Sequence, residues 1–234
     1  MSASLLELQA ADTMAEQLRH RRDTLAEREQ VQAAKNELLR WNEARTVVRR
    51  RIDELTAEIE QTEQQSAGVV SQRDRLQAQL RTIIAPREAE ALQHEIATLE
   101  TRRGELDDTE LSAMEEQTRL EAELDELLAQ EEALTSEYLS AESALAEAES
   151  DIDGELTRIA DRLDGLRSDV DKAVLRRYDR LRKNFVIAAA TLSGSRCDGC
   201  HIDLSAAEID EIRDTAAGKD GIAECPQCGR LLVL

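Results

Sequence analysis

Apolar residues recur at alternating steps of three and four along two long stretches of this chain. The first stretch runs from Val31 to Ile83, and the second runs from Leu92 to Ala148. This spacing places apolar side chains along one face of a helix, as in the seam of a coiled coil. The pattern therefore predicts two helices, each much longer than an ordinary globular helix.

The two stretches mirror each other about Pro86. If they pair antiparallel so that the residue numbers of facing positions add up to 172, Ile52 faces Leu120, and the midpoint falls on residue 86. Proline inside a helix costs about 3 kcal/mol and disfavours helical geometry at the preceding residue. We therefore expect a hairpin turn at Ala85 and Pro86, with the tip near residues 84–88. Two chains pairing over one kinked helix would give the same seams, and this alternative stays open.

The seam becomes polar in the middle of both arms. Its positions there include Thr62 and Glu110, and the same pairing sets Gly68 opposite Gly104. Glycine lowers helix propensity, and polar seam residues lose burial. The pattern predicts a hinge at Gly68 and Gly104 and hence a bent hairpin, unless the seam simply tolerates polar residues. Before residue 31 and after residue 148 the apolar positions no longer continue the same seven-residue repeat. Stutters at matching places in the two helices would produce this change, and how the helices pair there stays open.

Charge is distributed very unevenly along the chain. The net charge is −20, and residues 88–167 alone carry 25 acidic and 6 basic side chains. Such an arm repels nucleic acid and attracts basic partners, although a solvated coiled-coil face would have the same composition. Only 2% of the residues are aromatic, which is too few for the thick core of a compact enzyme.

The chain shows no signal for export or membrane insertion. Its first residues lack a basic segment followed by an apolar core, and no apolar run approaches the length of a membrane span. We therefore expect a cytoplasmic protein with reduced cysteines and no membrane partner.

A basic amphipathic helix is predicted between the second arm and the C-terminal region. Within residues 168–185, apolar positions such as Val174 and Tyr178 share one side. The cationic residues are candidate contacts for nucleic acid or a partner, although they could instead simply neutralise the acidic arm or solvate the helix: Lys172, Arg176, Arg177, Arg180, Arg182 and Lys183.

Four cysteines carry the clearest chemistry in the sequence. Cys197 and Cys200 form one C-x2-C pair, and Cys225 and Cys228 form another, with 24 residues between the pairs. Four thiolates fill the tetrahedral shell of one structural Zn²⁺ ion. A reduced compartment disfavours disulfides, the absence of a βαβ pattern disfavours a redox motif, and a filled shell disfavours catalytic zinc. His201 is expected to be a bystander.

Residues 186–234 are therefore predicted to form a small β-rich zinc ribbon. Strands are expected near Val186–Thr191 and Arg230–Val233, and Ser205 with Glu208 forms a capping box for a short helix. So small a core needs its metal to fold. From Ser193 onward the ribbon has no aromatic residue, so base stacking by the ribbon is disfavoured.

Several motifs together resemble a known bacterial family. They are PREAEALQHEIATLE after the turn, LDDTELSAMEE downstream, YDRLRKN before the ribbon, and the CDGCH and CPQCGRLLVL knuckles. The chain resembles, over nearly its whole length, coiled-coil hairpin proteins with a C-terminal C4-type zinc ribbon. The resemblance implies a bent hairpin and zinc ligation by Cys197, Cys200, Cys225 and Cys228. It also implies links to sigma-factor handling, secretion-related partners and nucleic acid, and it supplies no catalytic residues.

The sequence thus predicts a mainly α protein, with a long antiparallel coiled-coil hairpin over residues 1–167 followed by the basic helix and the ribbon. The leading hypothesis is a non-enzymatic adaptor or regulator that binds protein partners, related to transcription or another regulatory assembly. The alternative is a nucleic-acid binder that uses the basic helix. A factor inserting its tip into an RNA polymerase channel is disfavoured, because the tip lacks a pair of acidic residues. No phosphate loop or nucleophile motif occurs, so neither an enzyme nor a small-molecule substrate is expected.

Overall fold

The computed structural model describes residues 2–217 and 221–234. Four helices come first: α1 (Ser2–Asp23), α2 (Ala26–Leu80), α3 (Pro86–Asp169) and α4 (Lys172–Arg182). They are followed by strands β1 (Ala189–Ser193) and β2 (Arg196–Cys197), helix α5 (Ala206–Ala217), and strands β3 (Ile222–Glu224) and β4 (Leu231–Val233). This architecture confirms the mainly α class, a long helical hairpin followed by a small sheet.

The hairpin turn lies where the proline argument predicts it. Helix α2 ends at Leu80, and Pro86 is the first residue of α3. The backbone N–H of Ala89 donates to the carbonyl oxygen of Ala85 at 3.1 Å, so Ala85 begins the hydrogen-bonded turn. Proline suits this position because its missing N–H would have no partner within the helix.

The first arm is broken near its base, a feature that the sequence suggested only as a stutter. Helix α1 ends at Asp23 and α2 begins at Ala26. Thr24 closes α1, because its hydroxyl donates to the carbonyl oxygen of His20 at 2.8 Å. The lost phase of the apolar repeat therefore reflects two separate helices. Helix α3 shows no corresponding break and runs unbroken from Pro86 to Asp169.

The chain divides into two compact units, one formed by residues 31–141 and the other by residues 1–30 together with 142–234. In the 31–141 unit, Leu55 and Leu120 are buried in one apolar cluster, and Ile52 packs against it. Between the arms, the indole N–H of Trp41 donates to the carbonyl oxygen of Leu127 at 2.7 Å. These contacts agree with the antiparallel register that the repeat predicts.

Polar seam residues are accommodated inside helices that continue without interruption. Thr62 is buried, and its hydroxyl donates to the carbonyl oxygen of Glu58 at 2.9 Å. Such a bond satisfies a hydroxyl within its own helix. A Cβ placed on Gly68 or Gly104 would meet no atom within 4 Å. Neither glycine is therefore required by close packing, and the hinge stays a prediction.

The other unit is built around a four-stranded sheet of order β2-β1-β4-β3. Strand β1 runs parallel to β4 and antiparallel to β2, while β3 runs antiparallel to β4. Ala189, Leu231 and Val233 pack with residues of α1 and α4 on one face. Leu232 and Ala223 pack with residues of α5 and with the cysteines on the opposite face. The sheet is thus covered on both sides.

Helix α1 is fastened to the sheet by one buried glutamine. The side-chain oxygen of Gln9 accepts hydrogen bonds from the backbone N–H groups of Ala188 at 2.6 Å and Ala189 at 3.2 Å. Its side-chain nitrogen donates to the carbonyl oxygen of Val186 at 3.0 Å. Gln9 therefore satisfies backbone groups at the start of β1 that the sheet itself leaves unpaired.

Tyr178 of α4 makes a second buried link to α1. Its side chain is fully buried, and its hydroxyl donates to the Asp12 carboxylate at 2.6 Å. Burial, and then the adjacent carboxylate, raise the pKa of Tyr178 above its ordinary value. The Arg182 guanidinium donates to Glu16 of α1 beside this bond.

Replacing Gln9 tests how strongly α1 holds the sheet. We expect Gln9→Leu to lower the free energy of unfolding of this unit by roughly 2–4 kcal/mol, because two buried N–H groups lose their acceptor. Hydrogen exchange at Ala188 and Ala189, with chemical denaturation, measures the effect. Gln17→Leu, on the exposed part of the same helix, is the matched control. Equal effects of the two substitutions would contradict this role of Gln9.

Candidate metal centre

The four cysteines lie on two loops with the same backbone construction. The backbone N–H of His201 donates to the carbonyl oxygen of Cys197 at 2.7 Å, and that of Gly229 donates to the carbonyl oxygen of Cys225 at 2.8 Å. The backbone N–H of Cys225 donates to the carbonyl oxygen of Arg230 at 2.9 Å. In the same way, the N–H of Cys197 donates to the carbonyl oxygen of Ile202 at 3.2 Å. Each C-x2-C pair is therefore a knuckle that reverses the chain within five residues.

The residue after each knuckle adopts a left-handed backbone conformation. Gly229 has a φ of 72°, and His201 has a φ of 60°, the only positive φ of a non-glycine residue in the described ranges. Histidine is among the residues that visit this region more readily than most. His201 therefore occupies the position that glycine occupies in the second knuckle. This backbone requirement accounts for the position of His201 without a role as ligand.

The two knuckles bring the four thiol sulfurs together. All four Sγ atoms lie within 4.8 Å of one another, and those of Cys200 and Cys225 are 3.9 Å apart. Four sulfurs bound tetrahedrally at about 2.3 Å from a zinc ion would be about 3.8 Å apart. No disulfide joins them. The donor set and its spacing therefore fit one tetrahedral metal ion.

The electrostatics of the cluster favour the same interpretation. Burial raises the pKa of the Cys197 thiol, and it raises the pKa of Cys225 to about 12. Burial also opposes ionisation of Cys200, but the backbone N–H of Ile202 and the neighbouring thiols outweigh it and lower the pKa of Cys200. Four converging thiolates in so buried a position need a cation to offset their charge.

Nearby side chains hold the first knuckle in place. The Asp198 carboxylate accepts hydrogen bonds from the hydroxyls of Thr191 and, at 2.7 Å, Ser193; these two bonds lower the pKa of Asp198. A Cβ on Gly199 would lie 3.0 Å from Cδ of Arg230 and 3.2 Å from Cβ of Ala190. A side chain at this position would require Arg230 or Ala190 to move by a few tenths of an ångström, so close packing favours glycine here.

Arg230 links the two knuckles. Its guanidinium donates to the carbonyl oxygen of Gly199 in the first knuckle and lies 4.4 Å from the centre of the Phe185 ring. A guanidinium over an aromatic face is a favourable cation–π contact. Arg230 is therefore tied to its own unit, and the predicted strand that included it begins one residue later, at Leu231.

The six cationic residues of the basic helix fall into two groups. Arg182 is nearly buried beside Asp12 and Glu16, and Arg177 pairs with Glu224 of β3. The other four are exposed and lie within one arc of the helix: Lys172, Arg176, Arg180 and Lys183. Arg177 is also exposed, but among the described contacts its charge is matched by Glu224, and no ion pair is recorded for the second group.

The capping box of α5 forms as the sequence predicts. The backbone N–H of Ser205 donates to the Glu208 carboxylate at 2.7 Å, and the N–H of Glu208 donates back to the Ser205 hydroxyl at 3.3 Å. Ile212 is buried against the cysteine side of the sheet. Asp171 caps α4 in a similar way, accepting from the N–H groups of Ala173 and Val174. This second cap was not predicted, although an aspartate before an amphipathic run is a recognisable signal.

Comparison with known families decides what kind of chain this is. Residues 8–185 match the model of the CT398-like coiled coil hairpin domain, and residues 196–232 match the C4-type zinc ribbon domain. The chain belongs to the CT398-like hairpin family. The resemblance that the sequence motifs suggested is thereby confirmed, and the second match covers both cysteine knuckles.

Relatives of this CT398-like chain match it from end to end. The uncharacterized proteins Rv2229c and MT2288 of Mycobacterium tuberculosis are each 28% identical over 231 residues, covering 98% of this chain and 94% of the relative. A solved structure from Mycobacterium smegmatis is 28% identical with a TM-score of 0.81, covering 99% of this chain and 96% of that one.

More distant solved structures share the fold. CT398 of Chlamydia trachomatis is 21% identical with a TM-score of 0.70, covering 99% of this chain and 96% of its own. HP0958 of Helicobacter pylori is 20% identical with a TM-score of 0.59, covering 99% and 95% respectively. At these identities the likeness shows a common architecture of hairpin and ribbon.

Proposed function

We propose that this CT398-like chain is a non-enzymatic adaptor or regulator that binds protein partners, with one structural Zn²⁺ ion in its ribbon. The observation that carries the proposal is the four-cysteine cluster. Among the described residues, it is the only place where three or more metal-ligating groups meet within 4.8 Å. Four thiolates leave no ligand position for water or substrate, so the ion would support structure rather than catalysis.

The surface supports a role in binding. Long helices carry exposed apolar side chains, including Val47, Leu111 and Leu139, among many charged residues. A helical surface of this kind suits contacts with other proteins, in which apolar side chains supply burial and charges supply specificity. No helix in the described ranges is long and apolar enough to span a bilayer. We propose a cytoplasmic site of action, because the four cysteines are free and that compartment keeps thiols reduced.

Binding of nucleic acid is the second candidate, and one observation favours it. Lys172, Arg176, Arg180 and Lys183 share one arc of α4 and are exposed, whereas Arg177 and Arg182 are engaged within the unit. A row of free cations on one helix face suits contacts with phosphate groups. The same row would also serve an acidic protein partner.

Metal analysis tests the structural part of the proposal. We expect one zinc ion per chain by native mass spectrometry and elemental analysis. Cys228→Ser should lose most of that zinc, because it removes one of four thiolate ligands. His201→Asn should retain it, because asparagine tolerates the left-handed backbone and His201 is not a proposed ligand. Zinc lost equally in both variants, or absent from the native protein, would contradict the assignment.

Copurification separates the two functional candidates. The untagged native protein is isolated at low salt and divided into nuclease-treated and untreated halves. We expect the amount of each protein partner per molecule of this protein to be the same in both halves, because the adaptor binds its partners directly. Retention of no protein partner in either half would contradict the adaptor role.

A charge-reversal variant then tests the basic face of α4. If nucleic acid copurifies and disappears in the triple variant Arg176→Glu, Arg180→Glu and Lys183→Glu, the second candidate is supported instead. The matched control reverses exposed cations of the hairpin at Lys35, Arg40 and Arg49, which changes the net charge equally. Nucleic acid lost from both variants would indicate attraction that depends on net charge alone.

A further inference from the structure

A groove of about 740 Å³ lies between α4, α5 and strand β3, within the unit that contains the ribbon. Its lining includes Cys225, Pro226 and Gly229 of the second cysteine knuckle. Ala173 and Val174 of α4 line one wall, and Glu211 and Thr215 of α5 line another. The groove is thus a concave surface formed by three elements of one compact unit.

The rim of the groove carries a strong excess of negative charge. Its carboxylates belong to Asp171, Glu208, Glu211 and Glu224, and among the described residues that line it Arg177 is the only cation. Arg177 pairs with Glu224, which leaves three carboxylates without a cation from the described part of the lining. The charge of the groove therefore favours a cationic occupant.

Two of these carboxylates already have fixed structural roles. Asp171 accepts from the N–H groups that begin α4, and Glu208 accepts from Ser205 and, at 2.7 Å, from the side chain of Gln227. These bonds hold the negative groups in fixed positions, and they lower the pKa of both carboxyls. Glu211 is exposed on the same side of α5 and is the acidic residue best placed to receive an incoming cation.

A metal ion is a poor fit for this groove. Within the described ranges, three or more ligating groups converge within 4.8 Å only at the cysteines, so the groove carboxylates are too widely spaced to share one ion. Negative groups that are spread along a groove suit an occupant whose positive charges are also spread out. An extended chain with several cationic side chains has its charges spaced in this way.

The apolar lining matches the stems of such side chains. Val174 is half-buried and Pro226 is exposed, and the buried residues Ile212 and Ile222 also line the groove. Lysine and arginine pack their methylene stems on apolar surface while the charged head reaches polar groups. Arg177 of α4 already pairs with Glu224 of β3, so one carboxylate of the lining is matched to a guanidinium within the molecule.

We propose that this groove binds an extended Lys/Arg-rich segment of a partner protein, with the methylene stems of its cationic side chains against Val174 and Pro226 and their charged groups near Glu208 and Glu211. The inference rests on the proposed adaptor function, because it names the chemistry of one partner surface. It also gives a role in binding to Glu208 and Glu211 of α5, which are not ligands of the proposed metal site.

Methyl NMR of the full-length, zinc-loaded chain tests the inference. The probe is the acetylated and amidated peptide Lys-Leu-Arg-Leu-Lys, titrated at an ionic strength of about 0.15 M to screen long-range attraction. We expect saturable shifts of the Ile212 and Ile222 methyl groups. Glu211→Lys should weaken binding about fivefold or more, as loss of one or two surface charge contacts would produce.

A neighbouring residue supplies the matched control. Asp210→Lys changes the net charge by the same amount on the same helix, but Asp210 is exposed and lies outside the groove lining. It should leave the affinity nearly unchanged. Arg177→Ala should tighten binding, because it frees Glu224 for the peptide. The neutral peptide Gln-Leu-Gln-Leu-Gln should produce no saturable shift.

Other results would overturn the inference. Equal weakening by Asp210→Lys and Glu211→Lys would show attraction to net charge alone, as would spermine binding as tightly as the peptide. Shifts confined to methyl groups of residues 88–141 would place the peptide on the acidic arm. An absence of peptide binding would refute the groove proposal but leave the adaptor proposal intact if protein partners still copurify.

Discussion

The rest of the ribbon-containing unit depends on a sheet that is too small to be stable alone. Its strands are two to five residues long, and β4 is buried along its whole length. A sheet with two apolar faces must be covered on both sides. Here α1 and α4 cover one face, while α5 and the cysteine knuckles cover the other. The ribbon therefore shares its core with both ends of the hairpin.

Polar contacts make this arrangement specific. Apolar packing alone would allow α1 to slide along the sheet, but Gln9 matches particular backbone groups at the start of β1. Tyr178 and Asp12 fix α4 against α1 in the same way. Because buried polar groups are costly when unpaired, such bonds strongly select one register over its neighbours. The N-terminal helix is thus part of the structure that positions the metal ligands.

Local and periodic features of the sequence were sufficient for much of this account. The heptad seam and Pro86 predict the hairpin and its register, because they depend on spacing along the chain. The two C-x2-C pairs predict the metal cluster, because four thiolates at that spacing have few other uses.

Contacts between distant residues account for what could not be predicted. Gln9 and Ala188 are 179 positions apart, and nothing near Gln9 indicates a strand partner. The break at Thr24 resembled a stutter, because both disturb the apolar repeat in the same way. The groove was missed as well, since it forms only when α4, α5 and β3 come together.

The central claim is that the metal site, the sheet and helices α1 and α4 form one cooperative unit. Hydrogen exchange of the zinc-loaded and metal-stripped full-length protein tests this most directly. We expect the amides of β1, β4 and the part of α1 around Leu5 and Leu8 to lose protection together, while those around Leu55 and Leu120 do not change. Loss of protection confined to the cysteine loops, with α1 fully protected, would contradict it.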